Sequence, residues 1–144
     1  MQIKLNIKKW GCVTERVVEY RFALDCLKFS TGKRLLDIGL GPCPSFWYLL
    51  NSVGYTCIGL DPAKKAKILL SNNKPCPLYA QRSVINSNIP DGCIDLIMCI
   101  STLEHIPDYD TAVDSMKKML KPNGILVITV PIGVSYIPNV YKYT

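Results

Sequence analysis

The sequence predicts an α/β domain with a doubly wound, mostly parallel sheet of about five strands and helices on both faces. Three observations carry that reading. Short apolar runs at Leu35–Ile38, Cys57–Leu60, Ile94–Ile100 and Ile125–Val130 have the length and composition of strands buried on both faces. Segments of helical periodicity separate them, and Gly, Pro, Asn and Asp punctuate the joins. Strands that alternate with helices need crossover connections, which make neighbouring strands parallel and cover the sheet twice.

Residues 1–13 alternate Ile3, Leu5 and Ile7 with Lys4, Asn6 and Lys8, as in a short strand or an extended arm. From Thr14, which can cap, Val17, Val18, Phe22, Leu24 and Leu27 recur at helical spacing until Thr31-Gly32, and this reads as an amphipathic helix. Strand one, Leu35–Ile38, leads through Gly39 and Gly41 into a helix at Ser45–Val53. Gly54-Tyr55 turns the chain into strand two, Cys57–Leu60, which ends at Asp61-Pro62 before a helix at Ala63–Leu70. A weak strand three lies around Leu78-Tyr79-Ala80, and a polar loop, Ile85–Gly92, precedes strand four at Ile94–Ile100. Ser101 or Thr102 can cap a short helix there; a longer helix follows at Tyr109–Leu120, a turn at Lys121–Gly124, and strand five at Ile125–Val130.

A chain of 144 residues suits one domain, 1–144, able to bury roughly 68–70% of its unfolded surface. No membrane span is expected: the longest candidate, Ile125–Val134, contains Pro131 and Gly133 and falls well short of roughly 20 apolar residues. No apolar signal segment follows Met1. The seven cysteines include no Cys-x-x-Cys pair and His105 is the only histidine, so neither a metal site nor a disulfide framework is expected. Cysteines inside apolar runs read as small core residues of a reduced, cytoplasmic protein. The net charge of +6 is spread over Lys4–Lys9, Lys64–Lys67 and Lys117–Lys121, which reads as solvated faces rather than a nucleic-acid surface.

The chemistry-bearing residues fall at strand carboxyl ends, where open α/β sheets bind ligands. Asp37 lies in the end of strand one, beside a glycine turn that lets backbone approach a ligand. Asp61 stands 22 residues beyond Gly39, the spacing at which an acidic side chain receives ribose hydroxyls, and it can at the same time cap the helix behind it. A dinucleotide turn would carry a third glycine where Pro44 stands, and no Gly-Lys-Ser/Thr follows for a phosphate loop. Without a phosphate device, Asp37 suits a cationic ligand group better, the alternative being a structural carboxylate bonded to nearby amides. An adenosine carrying an α-amino acid answers both carboxylates.

At residues 36–41 the chain reads Leu-Asp-Ile-Gly-Leu-Gly, at 59–62 Gly-Leu-Asp-Pro, and at 120–131 Leu-Lys-Pro-Asn-Gly-Ile-Leu-Val-Ile-Thr-Val-Pro. With the fourth-strand region at 89–106, these motifs in order resemble a class I S-adenosylmethionine-dependent methyltransferase over about residues 33–132. The resemblance implies a Rossmann-like sheet in the order 3-2-1-4-5, S-adenosyl-L-methionine as cofactor and a small-molecule acceptor. By it, Gly39 and Gly41 pass the methionine portion, Asp61 holds the ribose, and the backbone at Cys99 meets the amino-acid end. Leu40, Pro62, Val84 and Ile100 join them in the expected cofactor set. Ser83 falls twelve residues before Asp95, where many relatives carry an aspartate for the adenine amino group. A neutral serine there, and Cys43 in place of a further glycine, predict reduced cofactor affinity.

His105 is the candidate general base, with an oriented structural role as its alternative. Methyl transfer needs no compulsory base, because alignment of nucleophile, methyl and sulfur is the main task. The Asn/Asp-Pro-Pro-aromatic signature of base-amino methyltransferases is replaced after strand four by Ile100-Ser101-Thr102-Leu103. The family's sheet continues past strand five, so a carboxy-terminally truncated unit is expected, a fragment or a chain whose open sheet edge is covered by a homo- or hetero-oligomeric partner. Tyr136, Tyr141 and Tyr143 would then line a substrate mouth or begin the next element. Two other functions fit less of the pattern: a catalytically silent scaffold, and a nicotinamide-dependent oxidoreductase, against which Pro44 argues.

Overall fold

The computed structural model describes residues 13–40, 45–63 and 79–131. The amino-terminal arm, the Gly41–Pro44 part of the first turn, the helix expected up to Leu70 and tyrosines 136, 141 and 143 lie outside them. The chain runs α1 (Val13–Leu27), β1 (Arg34–Ile38), α2 (Ser45–Ser52), β2 (Thr56–Leu60), β3 (Tyr79–Ala80), β4 (Ile94–Ile100), α3 (Tyr109–Met119) and β5 (Leu120–Thr129). Two 3-10 turns, Val84–Asn86 and Leu103–His105, flank β4 in sequence.

The strands form one five-stranded sheet in the order β3-β2-β1-β4-β5, with every pairing among the described residues parallel. This is the Rossmann-like arrangement expected, although β3 amounts to two residues beside four longer strands. Asp108 supports α3 by accepting the Thr111 amide at 3.2 Å. Leu35, Leu36, Leu96, Ile97 and Met98 are sealed from solvent because helices cover both sides. One core cluster joins Leu35, Leu96 and Met98 to Ala23 and Leu27 of α1 and Trp47 and Leu50 of α2. The other joins Leu36, Ile97 and Cys99 to Ala112, Met116 and Met119 of α3.

Three local expectations are corrected. The apolar residues expected to face the core from α1 mostly do not: Val17, Val18, Phe22 and Leu24 are exposed, while Ala23 and Leu27 are buried. Apolar residues surround this helix, so the stripe that meets the sheet is chosen by small Ala23 and by Tyr20, which stacks on Phe46 of α2 at 4.3 Å. The Lys121–Gly124 segment is not a turn before β5 but a bulge within it: Ile94 pairs with Leu120 and Leu96 with Ile125, five residues of β5 passing two of β4. Asn123 takes the strain with φ +64°. Finally, Thr102 begins the Leu103–His105 turn without capping it; its hydroxyl instead donates to the Ile100 carbonyl at 3.0 Å.

Candidate functional site

Register gathers the expected strand-end residues at successive positions along the carboxyl edge of the sheet. Asp37 lies opposite Gly59 of β2 and Met98 of β4; Ile38 lies opposite Leu60 and Cys99. One residue further on, the chain leaves the sheet at Gly39 and Asp61, while β4 runs on to Ile100, paired with Thr129, and leaves at Ser101. The Gly39 amide donates to the Leu60 carbonyl at 2.8 Å, which ties the first turn to the end of β2. Gly39 has φ +76°, and a Cβ added to it would lie 2.2 Å from Thr102 Oγ1. Only glycine fits there, on conformational and on steric grounds. The Thr102 side chain therefore closes over the turn from the β4 side.

The two carboxylates are held differently. Asp61 is buried and accepts the Ala63 amide at 2.8 Å, the local bond expected of a capping aspartate. Asp37 is half-buried, and among the described residues no hydrogen bond reaches its carboxylate. Its pKa is pushed up to about 7, first by burial and then by the charge of Asp61, with Arg16 pulling the other way. A carboxyl group poised near neutrality without a bonded partner can accept a cation, and it loses its proton on doing so.

Leu40 is buried in the core and Val84 is buried behind Ser83, so only their backbones can face a ligand. Ser83 accepts the Ile85 amide at 3.4 Å, capping the 3-10 turn, which ties its hydroxyl locally. Pro62 is exposed, and its carbonyl accepts from the Gln81 side chain at 3.3 Å. The Cys99 thiol is sealed in the core, its pKa pushed up to about 12 by burial and then by Asp37, and it is inert as a nucleophile. The Ile100 carbonyl already accepts from Arg16 Nη1 at 3.2 Å and from Thr102 Oγ1. His105 lies in the turn after β4, its Nε2 3.8 Å from Glu104 Oε1.

A polar cluster escaped the sequence reading. Glu19 Oε1 accepts from Ser101 Oγ at 2.5 Å and from Thr129 Oγ1 at 2.7 Å, while Oε2 pairs with Arg16 at 3.2 Å. These residues come from α1 and the carboxyl ends of β4 and β5, far apart in sequence, so no local motif announces them. The one available signal is the oppositely charged pair Arg16 and Glu19, three apart on α1, which Glu15, Arg21 and Asp25 on the same helix keep from standing out. A hollow between Ile85, Ser87, Asp91, Lys118 and Met119 sits at the amino end of β4, away from these residues.

Residues 36–128 match the family described as methyltransferase domain. The chain belongs to that methyltransferase family. It is 28% identical over 112 residues to a ubiquinone biosynthesis O-methyltransferase of Rhodopseudomonas palustris, an alignment covering 74% of this chain and 42% of that protein. It is 26% identical over 116 residues to a ubiquinone/menaquinone biosynthesis C-methyltransferase of Psychromonas ingrahamii, covering 75% and 46%. The chain thus spans less than half the length of either methyltransferase relative. Among solved structures, a SAM-dependent methyltransferase from Archaeoglobus fulgidus superposes with a TM-score of 0.59 at 20% identity, over 75% of this chain and 49% of that one. The methyltransferase match spans β1 to β5, and Arg16 and Glu19 precede it.

Proposed function

We propose that this chain binds S-adenosyl-L-methionine and serves methyl transfer to a small-molecule acceptor. The observation that carries the reading is the gathering of Asp37, Gly39, Asp61 and Cys99 at successive register positions along the carboxyl edge of the parallel sheet, within a methyltransferase-family match. The residues suit the cofactor. Gly39 carries its backbone along the carboxyl edge without a Cβ, close under the Thr102 side chain, and Asp37 presents a carboxyl group without a hydrogen-bond partner among the described residues. Gly39 to Gly41 would pass the methionine portion, Asp61 and Pro62 would stand at the ribose, and Ser83 and Val84 at the adenine. The bound cofactor supplies an activated methyl group on a positively charged sulfur.

The chain's part is placement. Asp37 answers the cationic amino-acid end, and the covered sheet edge keeps its charge in a less polar medium than water. Cys99 and Ile100 contribute backbone, with the Ile100 carbonyl already committed to Arg16 and Thr102. His105 is the candidate to take a proton from the acceptor. The matched relatives include both an O- and a C-methyltransferase by name, so the acceptor is read only as a small molecule. No described helix is long and apolar enough to cross a membrane. The free thiols of Cys57 and Cys99 in the core suit a reducing compartment, and the enzyme is read as cytoplasmic on that ground. Residues 1–144 are read as one cofactor-binding unit. The outer edge of β5, which pairs only with β4 among the described residues, is the edge a partner would cover.

Calorimetric titration with S-adenosylhomocysteine tests the proposal. Binding is expected, and Asp61→Ala should weaken it by about 1.5–3 kcal/mol, the usual loss for a charged hydrogen bond. A folded sample that binds nothing at millimolar ligand would end this reading.

A further inference from the structure

We infer that Glu19 of α1 is a positioning residue that holds Ser101 in a left-handed backbone conformation and so sets the chain that closes over Gly39. Ser101 has φ +42°, a conformation L residues with a Cβ seldom adopt unless their surroundings enforce it. Its surroundings do so from two sides. Its amide donates to Thr129 at two oxygens, the carbonyl at 3.0 Å and Oγ1 at 3.1 Å. Its hydroxyl donates to Glu19 Oε1 at 2.5 Å, and the same oxygen accepts the Thr129 hydroxyl at 2.7 Å.

One carboxylate oxygen therefore clamps the strained residue and its strand partner together. The Glu19 side chain is only 14% exposed, and Arg16, bonded to Oε2, reaches on to the Ile100 carbonyl one residue before Ser101. The consequence lies one residue later. Thr102 departs from the left-handed step with its hydroxyl turned back to Ile100 and its side chain against Gly39, where a Cβ would collide with it. Release of Ser101 to an ordinary φ would redirect Thr102 and loosen the wall over Gly39. The effect on ligand rests on the proposed cofactor reading; the effect on the backbone does not.

A glycine rescue separates this role from a general structural one. Glycine adopts positive φ at no steric cost, so Ser101→Gly removes the need for the clamp. In Glu19→Ala, amide exchange at Ser101, His105 and Ile106 should rise about tenfold or more, and in Glu19→Ala/Ser101→Gly it should return to within about threefold of the parent. Glu19→Gln keeps an oxygen acceptor for both hydroxyls and should stay near the parent. S-adenosylhomocysteine should bind Glu19→Ala about tenfold more weakly, with recovery in the double variant, since affinity scales with the competent fraction. Unchanged exchange in Glu19→Ala, or a double variant no better than the single one, overturns the inference. Should Glu19→Ala fail to fold, folding of the double variant decides for it and its failure against it. A parent that binds no S-adenosylhomocysteine but shows this exchange pattern loses the cofactor reading and keeps the clamp.

Discussion

Asp37 shows how a single residue couples stability to ligand. In an unfolded chain its carboxyl would titrate near 3.8, whereas in the fold it titrates at about 7. The folded state thus holds more protons than the unfolded one between those values, and stability from this residue falls as pH rises from about 4 to about 7. Above pH 7 the fold carries a poorly solvated anion near Asp61. Asp37→Asn should therefore raise the melting temperature at pH 8 and leave little difference near pH 4, which thermal denaturation at the two pH values reads directly. Ligand binding runs the other way. An ammonium beside Asp37 favours the charged form, so S-adenosylhomocysteine should bind more tightly as pH rises towards 7. Below pH 7 it should release up to about one proton. Titration in buffers of different ionisation enthalpy measures that proton, and Asp37→Asn should abolish it.

At the scale of elements, the amino ends of β1, β4 and β5 carry a second aspartate with the opposite tendency. Asp95 accepts Lys121 Nζ at 2.6 Å and the Arg34 amide at 2.9 Å, and the Lys121 bond chiefly holds its pKa down. Its stabilisation is present above the ordinary carboxylate range and is lost as pH falls through the lowered value. Gly32 makes room for this carboxylate: a Cβ there would lie 2.0 Å from Asp95 Cγ. Gly32→Ala should push the carboxylate off its partners and cost about 1–3 kcal/mol in denaturant unfolding. Its effect on S-adenosylhomocysteine affinity should be negligible, because the site lies at the other end of the strands.

This contrast explains what the sequence could disclose about elements. Ile94–Ile100 and Leu35–Ile38 were readable because strands buried on both faces are nearly continuous apolar runs, here broken only by Asp95 and Asp37, and the glycine turn with Asp61 marks the carboxyl ends of β1 and β2. The inner face of α1 was not, because Val17, Val18 and Phe22 satisfy the same spacing as the residues that are buried. Glu19 and Thr129 gain their meaning only when β5 lies beside β4, a long-range fact that no local pattern encodes. Thr102 likewise matters for its position over Gly39, which follows from a backbone angle at its neighbour rather than from its own chemistry.

For the molecule as a whole, the two core clusters share the sheet as their common wall. Helices on opposite faces should therefore unfold together. Leu50→Ala and Met116→Ala, one on each face and both fully buried, should each cost about 2–5 kcal/mol and lower the same single calorimetric transition. Two separated transitions would show that the faces fold independently. Outwardly, Val18, Phe22 and Phe29 leave an apolar surface along and just beyond α1, on a chain whose net charge of +6 favours dispersal.

The bulge in β5 acts on this assembly as a spacer of fixed count. Strand side chains alternate between faces, so the number of residues accommodated between Leu120 and Ile125 fixes the phase of everything downstream. With the present count, Val127 points into the core and Thr129 stands opposite Ile100, within reach of Glu19. Loss of one residue from Pro122-Asn123-Gly124, if the strand slid to close the gap, would invert that phase. Val127 would turn to the opposite face of the sheet, where Leu126 and Ile128 now pack, and a valine would arrive where the clamp needs a hydroxyl.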